Sequence, residues 1–196
     1  MRTLTAPWTA DELSRLPDGW RYEIDRGELI IMAPAGRAHA RITGAITRNV
    51  GNFVHDHQLG EVDSGEVGVY IERQPVETLR GIDVAYFSAA KVAMVAMVAR
   101  TAATARDADD GAASGFWDVL PDLAIEVHDA SDPALRRKVH QYRTAGIPSV
   151  WVVDPKARSL TQYGPSTDTR TLTDPADMVR DPVLPGFTCR LLDFFE

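Results

Sequence analysis

Two short hydrophobic runs near the middle of the chain predict a pair of buried strands. The run over 123–128 is mostly apolar and branched, and so is the run over 149–154. Between them, apolar residues recur at helical spacing over 133–145, with Asp132 placed as the N-cap and Gly146 as the residue that ends the helix. We therefore expect a strand, a helix and a second strand in succession.

A carboxylate and a lysine of this unit are expected to approach one another. Glu126 lies inside the first run, where a buried charge is costly unless it is paired or binds a cation. The apolar stripe of the helix consists of Leu135, Val139 and Tyr142. At ~100° per residue, Lys138 falls about 40° from Tyr142, at the edge of that stripe. Of the basic residues on this helix, Lys138 is the one we expect to reach the strand that carries Glu126.

The N-terminal part of the chain predicts a short helix, a hairpin and a long helix. A capping-box pattern that begins at Thr9 predicts a helix over 10–16. Alternating residues over 20–25 and 28–33 predict a β-hairpin. Apolar residues at helical spacing over 37–57 predict a long amphipathic helix.

Two polar residues in these elements are expected to face solvent. Glu23 lies in the first hairpin strand, and alternation alone favours an exposed cross-strand charge. His39 lies in the first turn of the long helix, where it could contact a phosphate, but its position favours solvent exposure. The pattern by itself assigns no chemistry to either side chain.

The next part of the chain predicts strands that lead to a second candidate carboxylate. We expect two short strands over 61–71, where glycines stand at 65 and 68, and a loop over 74–80. A convincing strand follows over 81–87 and contains Asp83. Aspartate is depleted in strands because its side chain competes for backbone hydrogen bonds. Its presence marks Asp83 as a candidate functional residue.

The remaining patterns predict a helix, a loop and C-terminal strands. The helix over 89–100 is apolar on nearly all sides, so we expect it to be buried or to form a contact surface. The small polar residues over 101–114 predict a mobile surface loop. Strands are expected over 160–163 and 170–173, and the apolar terminal segment over 183–195 is expected to dock on the body.

Length and charge place these elements in one acidic domain. The 196 residues suit a single α/β (α+β) domain, with a helix and hairpin over 8–33, a core over 36–155 and terminal strands over 158–196. The single cysteine, Cys189, excludes an intramolecular disulfide and favours the reducing cytoplasm. No signal peptide or run of ~18 apolar residues is present, so we expect no membrane association. The net charge of −7 counts against a protein that coats nucleic acid, but not against an enzyme that touches phosphates in one place.

The two strand-borne carboxylates and the nearby lysine predict a particular chemistry. Asp83 and Glu126, converging from neighbouring strands, could hold one or two Mg²⁺ ions, because hard cations choose oxygen ligands. The metal would polarise a phosphodiester and lower the pKa of an attacking water. A lysine would orient that water or stabilise the developing negative charge.

The amino-acid sequences of several segments are more specific evidence than the positions of these carboxylates and the lysine. From about Trp20 to the C-terminus, the chain resembles the Uma-two family of restriction endonucleases, within the PD-(D/E)XK nuclease superfamily. The matching segments are YEIDRGELIIMAP followed by His39, then IDVAYF, PDLAIEV, KVHQYRTAGIPSVWVVDP and LPGF. The resemblance implies a restriction-endonuclease-like αβββαβ core, with a mixed central sheet flanked by helices. It also implies Mg²⁺ or Mn²⁺ as cofactor and DNA as substrate.

The resemblance also implies roles for individual residues. Asp83 matches the first motif aspartate, Glu126 matches the second motif acid, and Glu23 matches an acidic position that completes the metal site. The superfamily lysine normally lies two residues after the second acid, where this chain has His128. A helix lysine replaces it in this family, which maps to Lys138. His128 and His39 remain accessory candidates, although a lone histidine at a strand end is more often a structural hydrogen-bonder.

Three other expectations stay open at this point. A nuclease fold without catalysis would serve as a binding or oligomerisation module. The acidic pI, the apolar helix over 89–100 and the segment His128-Asp129-Ala130-Ser131, where the family has Leu-Ser-Pro-Ser, favour it. A purely structural carboxylate pair would predict that Glu126→Gln stabilises the fold. A homodimer would suit the cutting of two strands, and the apolar helix over 89–100 could supply its interface.

Overall fold

A mixed β-sheet runs through the protein, and helices pack on both of its faces. The structure is a computed structural model that describes residues 6–13, 15–17, 20–105, 115–165 and 168–196. The strands of the sheet are β1 (Arg21–Asp25), β2 (Glu28–Met32), β3 (Gly60–Glu72), β4 (Thr78–Ser88), β5 (Leu123–Val127), β6 (Ser149–Asp154), β7 (Ser159–Tyr163) and β8 (Thr169–Leu172). Their order is β2-β1-β4-β5-β6-β7-β8, with β3 paired to β4. β5 and β6 are parallel, and the other neighbours are antiparallel.

The helices and a C-terminal hairpin complete the fold. The helices are α1 (Ala10–Leu13), α2 (Arg37–Asp56), α3 (Ala89–Ala105) and α4 (Pro133–Ala145). The hairpin consists of β9 (Met178–Asp181) and β10 (Leu184–Arg190), and a 3₁₀ helix follows at Leu191–Phe194. With α3 inserted between β4 and β5, the succession α2, β3, β4, β5, α4, β6 is the αβββαβ order that the family resemblance implies.

Strand alternation divides the core between the two helices. Leu123, Ile125 and Val127 face the side of the sheet on which α2 and the C-terminal hairpin pack, whereas Ala124 faces α4. The docked terminal segment includes Phe187 and is buried in the α2 side of the core, as expected. The long strand β4 is buried along almost its whole length.

One edge of β4 is shared by two strands, and this arrangement positions the site. Leu79 pairs with both β3 and β1, while Val84 pairs with both β3 and β5. Since β3 follows one edge of β4 throughout, β1 and β5 must lie one after the other along the opposite edge. Between Leu79 and Val84, that edge is open to side chains.

The expected helix over 133–145 and its caps are confirmed. Asp132 accepts a hydrogen bond from the backbone N–H of Ala134 at 2.8 Å, and Gly146 adopts a left-handed conformation with φ of 100°. The hairpin, α2 and the strand over 149–154 also form where the sequence predicts them.

Several predicted boundaries are wrong, each for a local reason. The two strands expected over 61–71 are one strand, β3, because a bulge around Gly65 keeps the pairing with β4 on both sides. The loop expected over 74–80 ends at Thr78, where β4 begins against β1 and β3.

The helix boundaries also differ from the prediction. α1 ends at Leu13, where the bonding changes to the tighter i→i+3 pattern at Arg15 and Leu16. α3 runs on to Ala105, because residues 101–105 contain no helix breaker. The rest of the predicted loop, 106–114, lies outside the described residues. None of the helices in the described ranges is long and apolar enough to cross a membrane.

Candidate active site

The open edge of β4 brings side chains from three other elements together. The backbone N–H of Gly81 donates to Glu23 Oε1 of β1 at 3.0 Å, and the Gly81 carbonyl accepts from Lys138 Nζ of α4 at 2.7 Å. Asp83 Oδ2 accepts from the backbone N–H of Val127 in β5 at 2.7 Å. Side chains therefore replace the ladder hydrogen bonds that a neighbouring strand would make here, and this ties α4 to the sheet.

Lys138 is the hub of this arrangement. Its Nζ lies 2.8 Å from Glu23 Oε1 and 3.0 Å from Glu126 Oε2, and its side chain is only 13% exposed. Burial alone would lower the pKa of Lys138, but the carboxylates of Glu126 and Glu23 outweigh it and raise that pKa above its ordinary value. The amine therefore stays charged, and the sequence-based expectation that Lys138 reaches Glu126 is confirmed.

Glu126 is buried between a phenol and this amine. The hydroxyl of Tyr142 donates to Glu126 Oε1 at 2.8 Å, while Oε2 faces Lys138. Burial and the nearby charges of Asp83 and Glu23 raise the pKa of Glu126 to about 8, against the opposing effect of Lys138. This environment therefore favours the protonated form of Glu126 more than water does.

Glu23 is buried rather than exposed, so the expectation from strand alternation is wrong. β1 lies beside the open edge of β4, which turns Glu23 toward α4 and leaves its side chain 3% exposed. Its Oε2 accepts from Arg80 Nη1 at 2.9 Å. Burial would raise the pKa of Glu23, but Lys138 and Arg80 together lower it below the ordinary value, so Glu23 is ionised.

Arg80 extends the buried charge network to a second carboxylate of β1. Its Nη2 lies 2.8 Å from Asp25 Oδ2, and its Nε donates to Gln141 Oε1 at 3.0 Å. Gln141 in turn donates to Asp25 Oδ1 at 2.6 Å. The guanidinium thus joins both hairpin carboxylates to α4, which fixes the hairpin relative to the lysine.

Asp83 lies where this network meets a more open cluster. Its Oδ1 is 2.9 Å from His39 Nε2 in the first turn of α2. Burial would raise the pKa of Asp83, but the contact with His39 and the hydrogen bond from Val127 lower it below the ordinary value. His39 is therefore drawn into the site, contrary to the solvent-exposed position expected from its pattern.

Glu66 completes the open cluster. Burial and the carboxylate of Asp83 raise the pKa of Glu66 to about 7, and Arg21 pairs with its Oε1. His39, Glu66 and Asp83 each offer a ligand atom, and these atoms all lie within 4.8 Å of one another. The three residues and Arg21 line a cavity of about 650 Å³ that extends along α2. A divalent cation could occupy this position with two carboxylates and an imidazole as ligands.

The structure brings five of the sequence-predicted site residues together: Asp83, Glu126, Glu23, Lys138 and the accessory candidate His39. Their ligand and catalytic roles stay predictions, and the carboxylates of Glu23 and Glu126 each face a cationic group of the protein. His128 directly follows β5 and is half exposed, with its Nε2 3.6 Å from Asp132, the N-cap of α4.

Sequence reasoning missed Glu66, although a signal for it was present. The chain reads Gly65-Glu66-Val67-Gly68, and glycine inside a strand pattern often marks a bulge. Glu66 adopts a φ of 66° at that bulge, which aims its side chain at the site. The roles of Arg80 and Tyr142 were missed as well, because Arg80 was assigned to a loop and Tyr142 to the apolar stripe alone.

Comparison with known proteins agrees with this fold. A crystal structure described as "a putative nuclease belonging to DUF820 from Anabaena variabilis ATCC 29413" superimposes with a TM-score of 0.73 over 96% of this chain and 98% of that one. The two sequences are 18% identical, so the likeness shows the fold. No curated protein matches the chain. The model of a family described as "Putative restriction endonuclease" matches residues 10–192, and the chain therefore belongs to that family, Uma2.

Proposed function

We propose that this protein is a divalent-metal-dependent endonuclease that hydrolyses phosphodiester bonds of DNA. The observation that carries the proposal is the position of Asp83, whose carboxylate lies beside both His39 and the buried unit of Glu126 and Lys138. A cation site and a fixed amine within one site are what metal-assisted hydrolysis of a phosphodiester requires. Membership of the Uma2 family supports the same substrate class.

The residues of the open cluster fit a divalent cation. Asp83 and Glu66 supply oxygen ligands, and His39 supplies a nitrogen. The carboxylate oxygens suit Mg²⁺ or Mn²⁺, and the imidazole favours Mn²⁺ over Mg²⁺. Burial and the neighbouring carboxylate of Asp83 raise the pKa of Glu66, and a cation at this position would favour its ionised form. We propose these three residues as ligands, with Mg²⁺ or Mn²⁺ as the ion.

The side chains around that position would divide the work of hydrolysis. A cation held there would polarise the phosphodiester and lower the pKa of the attacking water. Lys138, fixed by Glu23 and Glu126, would stabilise the negative charge that develops on the phosphoryl oxygens. Tyr142 and Glu126 hold the amine in place. The hydroxyl of Tyr142 fixes the carboxyl group of Glu126, and Glu126 in turn restricts the rotation of the Lys138 side chain.

Metal binding and DNA cleavage, measured separately, test the proposal. We expect Asp83→Asn, Glu66→Gln and His39→Ala each to weaken Mn²⁺ binding by calorimetry. Lys138→Met should bind Mn²⁺ but fail to nick supercoiled plasmid. Glu61→Gln, which removes an exposed carboxylate from β3, is the matched control and should behave as wild type. A folded wild-type protein that binds neither Mg²⁺ nor Mn²⁺ and cleaves no DNA would contradict the proposal and leave the non-catalytic module.

Two further variants decide between the ligand sets. If Glu23 and Glu126 are ligands, as the family resemblance implies, Glu23→Gln and Glu126→Gln should weaken Mn²⁺ binding as strongly as Asp83→Asn does. If they act through Lys138, the same substitutions should reduce cleavage more than ion affinity. Calorimetry and plasmid nicking on the same preparations separate the two outcomes.

Homodimerisation is a second part of the proposal. Two copies of one site would allow both strands of a duplex to be cut, and exposed methionines on α3, Met94 and Met97, support a contact surface there. Light scattering coupled to size exclusion measures the state directly. A wild-type dimer that Met97→Glu converts to a monomer would support this interface, and a monomeric wild type would contradict it.

A further inference from the structure

The cavity beside the candidate ion site continues along one face of α2. We define the α2 groove face by the residues of α2 that line the cavity beyond His39: Ala40, Thr43, Gly44, Thr47, Arg48, Gly51 and Asn52. They recur every three to four residues, so they lie on one side of the helix. At ~1.5 Å per residue, the face extends for about 18 Å from the ion site.

The charge of the α2 groove face favours an anionic ligand. Its residues include Arg48 and no acidic side chain, in a chain whose net charge is −7. Arg48 is exposed on the groove face, and no hydrogen bond or ion pair joins it to another residue within the described part of the chain. A local positive surface beside a carboxylate-rich site suits a polyanion that must approach it.

The shape of the face suits a backbone rather than a set of bases. Gly44 has no atom within 4 Å of where a side chain would begin, so a ligand chain could approach the helix closely there. Arg48, Asn52 and Thr43 offer the kinds of donor that proteins commonly use for phosphate oxygens. No Phe, Tyr or Trp is among the described residues that line the cavity, so the stacking platforms typical of single-strand binding are missing from it.

We propose that the α2 groove face binds the phosphodiester backbone of one strand of duplex DNA and guides that strand to the ion site. The inference rests on the proposed nuclease function, because it assumes that the scissile phosphate lies near Asp83. To that function the inference adds three points. They are the surface that binds the substrate, the contact with backbone phosphates, and duplex DNA as the form of the nucleic acid. Over about 18 Å, one strand of a duplex that rises ~3.4 Å per nucleotide presents several phosphates.

Affinity for duplex DNA tests the surface directly. Fluorescence anisotropy of a labelled 16-base-pair duplex is measured with Ca²⁺ as the divalent ion. We expect Arg48→Glu to weaken binding roughly tenfold at about 0.1 M salt and to reduce the slope of log K against log[salt] by about one unit. Gly44→Leu should also weaken binding, since a β-carbon at Gly44 has open space around it and the longer side chain would occupy the groove. Arg136→Glu, an identical charge change on an exposed part of α4, is the matched control.

A small substrate separates failure of this inference from failure of the proposed function. Bis(4-nitrophenyl) phosphate is a diester short enough to reach the ion site without touching the groove face. Arg48→Glu and Gly44→Leu should hydrolyse it at the wild-type rate with Mn²⁺ while losing affinity for the duplex. A wild type that hydrolyses no diester, together with duplex binding that these variants weaken, would overturn the catalytic proposal and keep the surface.

Three results would overturn the surface itself. The first is duplex binding by Arg48→Glu and Gly44→Leu that equals the wild type. The second is a wild type that binds no duplex DNA. The third is tighter binding of a single strand of the same length, which would contradict the duplex assignment.

Discussion

Lys138 and Glu126, on α4 and β5, form a buried ion pair with 3.0 Å between Nζ and Oε2. The same amine lies 2.8 Å from Glu23 Oε1, so Lys138 contacts two buried acids from strands that share an edge of β4. Because both acids are almost fully buried, the pair has structural as well as chemical consequences. Measurements of unfolding free energy can detect the structural consequences without any substrate.

The Lys138→Met variant is expected to be much less stable than the wild type. Removing one partner of a buried pair leaves an uncompensated charge, which typically costs about 3–5 kcal/mol. Adding Glu126→Gln to it should recover part of that loss, because the second substitution removes the buried acid that has lost its cationic neighbour, whereas Glu23 keeps Arg80. Urea denaturation of both single variants and the double variant gives the coupling energy.

An exposed lysine supplies the control for this cycle. Lys156 pairs with Asp129 at 2.9 Å on the surface, where its side chain is 81% exposed. Lys156→Met should leave the unfolding free energy close to that of the wild type. A Lys138→Met protein that is as stable as Lys156→Met would show that the buried contact contributes no more than the exposed one.

Affinity for a divalent cation is expected to rise with pH between about 6 and 8. Burial and the Asp83 carboxylate raise the pKa of Glu66 to about 7, so at pH 6 the side chain is mostly protonated and unable to act as a ligand. Ion binding near pH 7 should therefore release a proton. Calorimetry in buffers of different ionisation enthalpy measures that release. Glu66→Gln should bind the ion more weakly and without this pH dependence, and an unchanged dependence would rule out Glu66 as its source.

The raised pKa of Glu66 has the opposite effect on the stability of the ion-free protein, which should fall as pH rises. The folded state holds the proton of Glu66 more tightly than the unfolded chain, whose ordinary carboxyl pKa is 4.5. The contribution to stability is therefore fully present below pH 4.5 and is lost as pH rises through about 7. Wild type should lose stability relative to Glu66→Gln over this range in EDTA, and equal pH profiles would contradict the raised pKa.

Gly81→Ala is expected to disturb the site while leaving the fold intact. A β-carbon at Gly81 would lie 2.8 Å from Glu66 Oε2 and 3.6 Å from Glu23 Oε1. Since the first contact is the end of a flexible side chain, Glu66 can move away at little cost in stability. Displacing a ligand or its support typically lowers metal affinity about 10–100-fold. We expect that loss by calorimetry, with a melting temperature close to wild type.

The control for this variant is a glycine with open space around it. Gly44→Ala places its β-carbon more than 4 Å from other atoms, so Mn²⁺ affinity should not change. A Gly81→Ala protein that binds Mn²⁺ as tightly as Gly44→Ala would place Glu66 outside the ion site.

The sequence predicted those parts of the site that depend on local periodicity alone. Lys138 was located correctly because the direction of a helical side chain depends only on its angle around the helix. Glu126 and Asp83 were located because charged residues are conspicuous inside buried strands. Each of these inferences uses a few neighbouring residues and needs no knowledge of the sheet order.

The parts that sequence could not supply depend on the order of strands and on irregular backbone. Glu23 is buried because β1 and β5 occupy the same edge of β4, and alternation within β1 holds no information about that. Glu66 points into the site from a bulge with positive φ, which breaks the alternation on which strand interpretation rests. Arg80 was assigned to a loop because the start of β4 lies before the hydrophobic run that identifies the strand.

Arg80 gives the last prediction, since its guanidinium makes contacts that no other cationic side chain can reproduce. It bonds Glu23, Asp25 and Gln141 from three nitrogens, and its side chain is 3% exposed. Arg80→Met should destabilise the protein by about 3–5 kcal/mol, because it removes a buried cation that contacts both Glu23 and Asp25. Arg80→Lys keeps the charge but presents a point donor, so it should recover only part of the stability.

Comparison with a surface arginine isolates the effect of burial. Arg73 pairs with Asp118 at 2.6 Å, and both side chains are substantially exposed. Arg73→Met should cost less than about 1 kcal/mol by urea denaturation. Because Arg80 holds Glu23, and Glu23 holds Lys138, Arg80→Lys should also slow DNA cleavage at saturating Mn²⁺ while ion affinity stays near wild type. If Arg80→Lys matched the wild type in both stability and cleavage, the fork of hydrogen bonds would have no role in positioning the lysine.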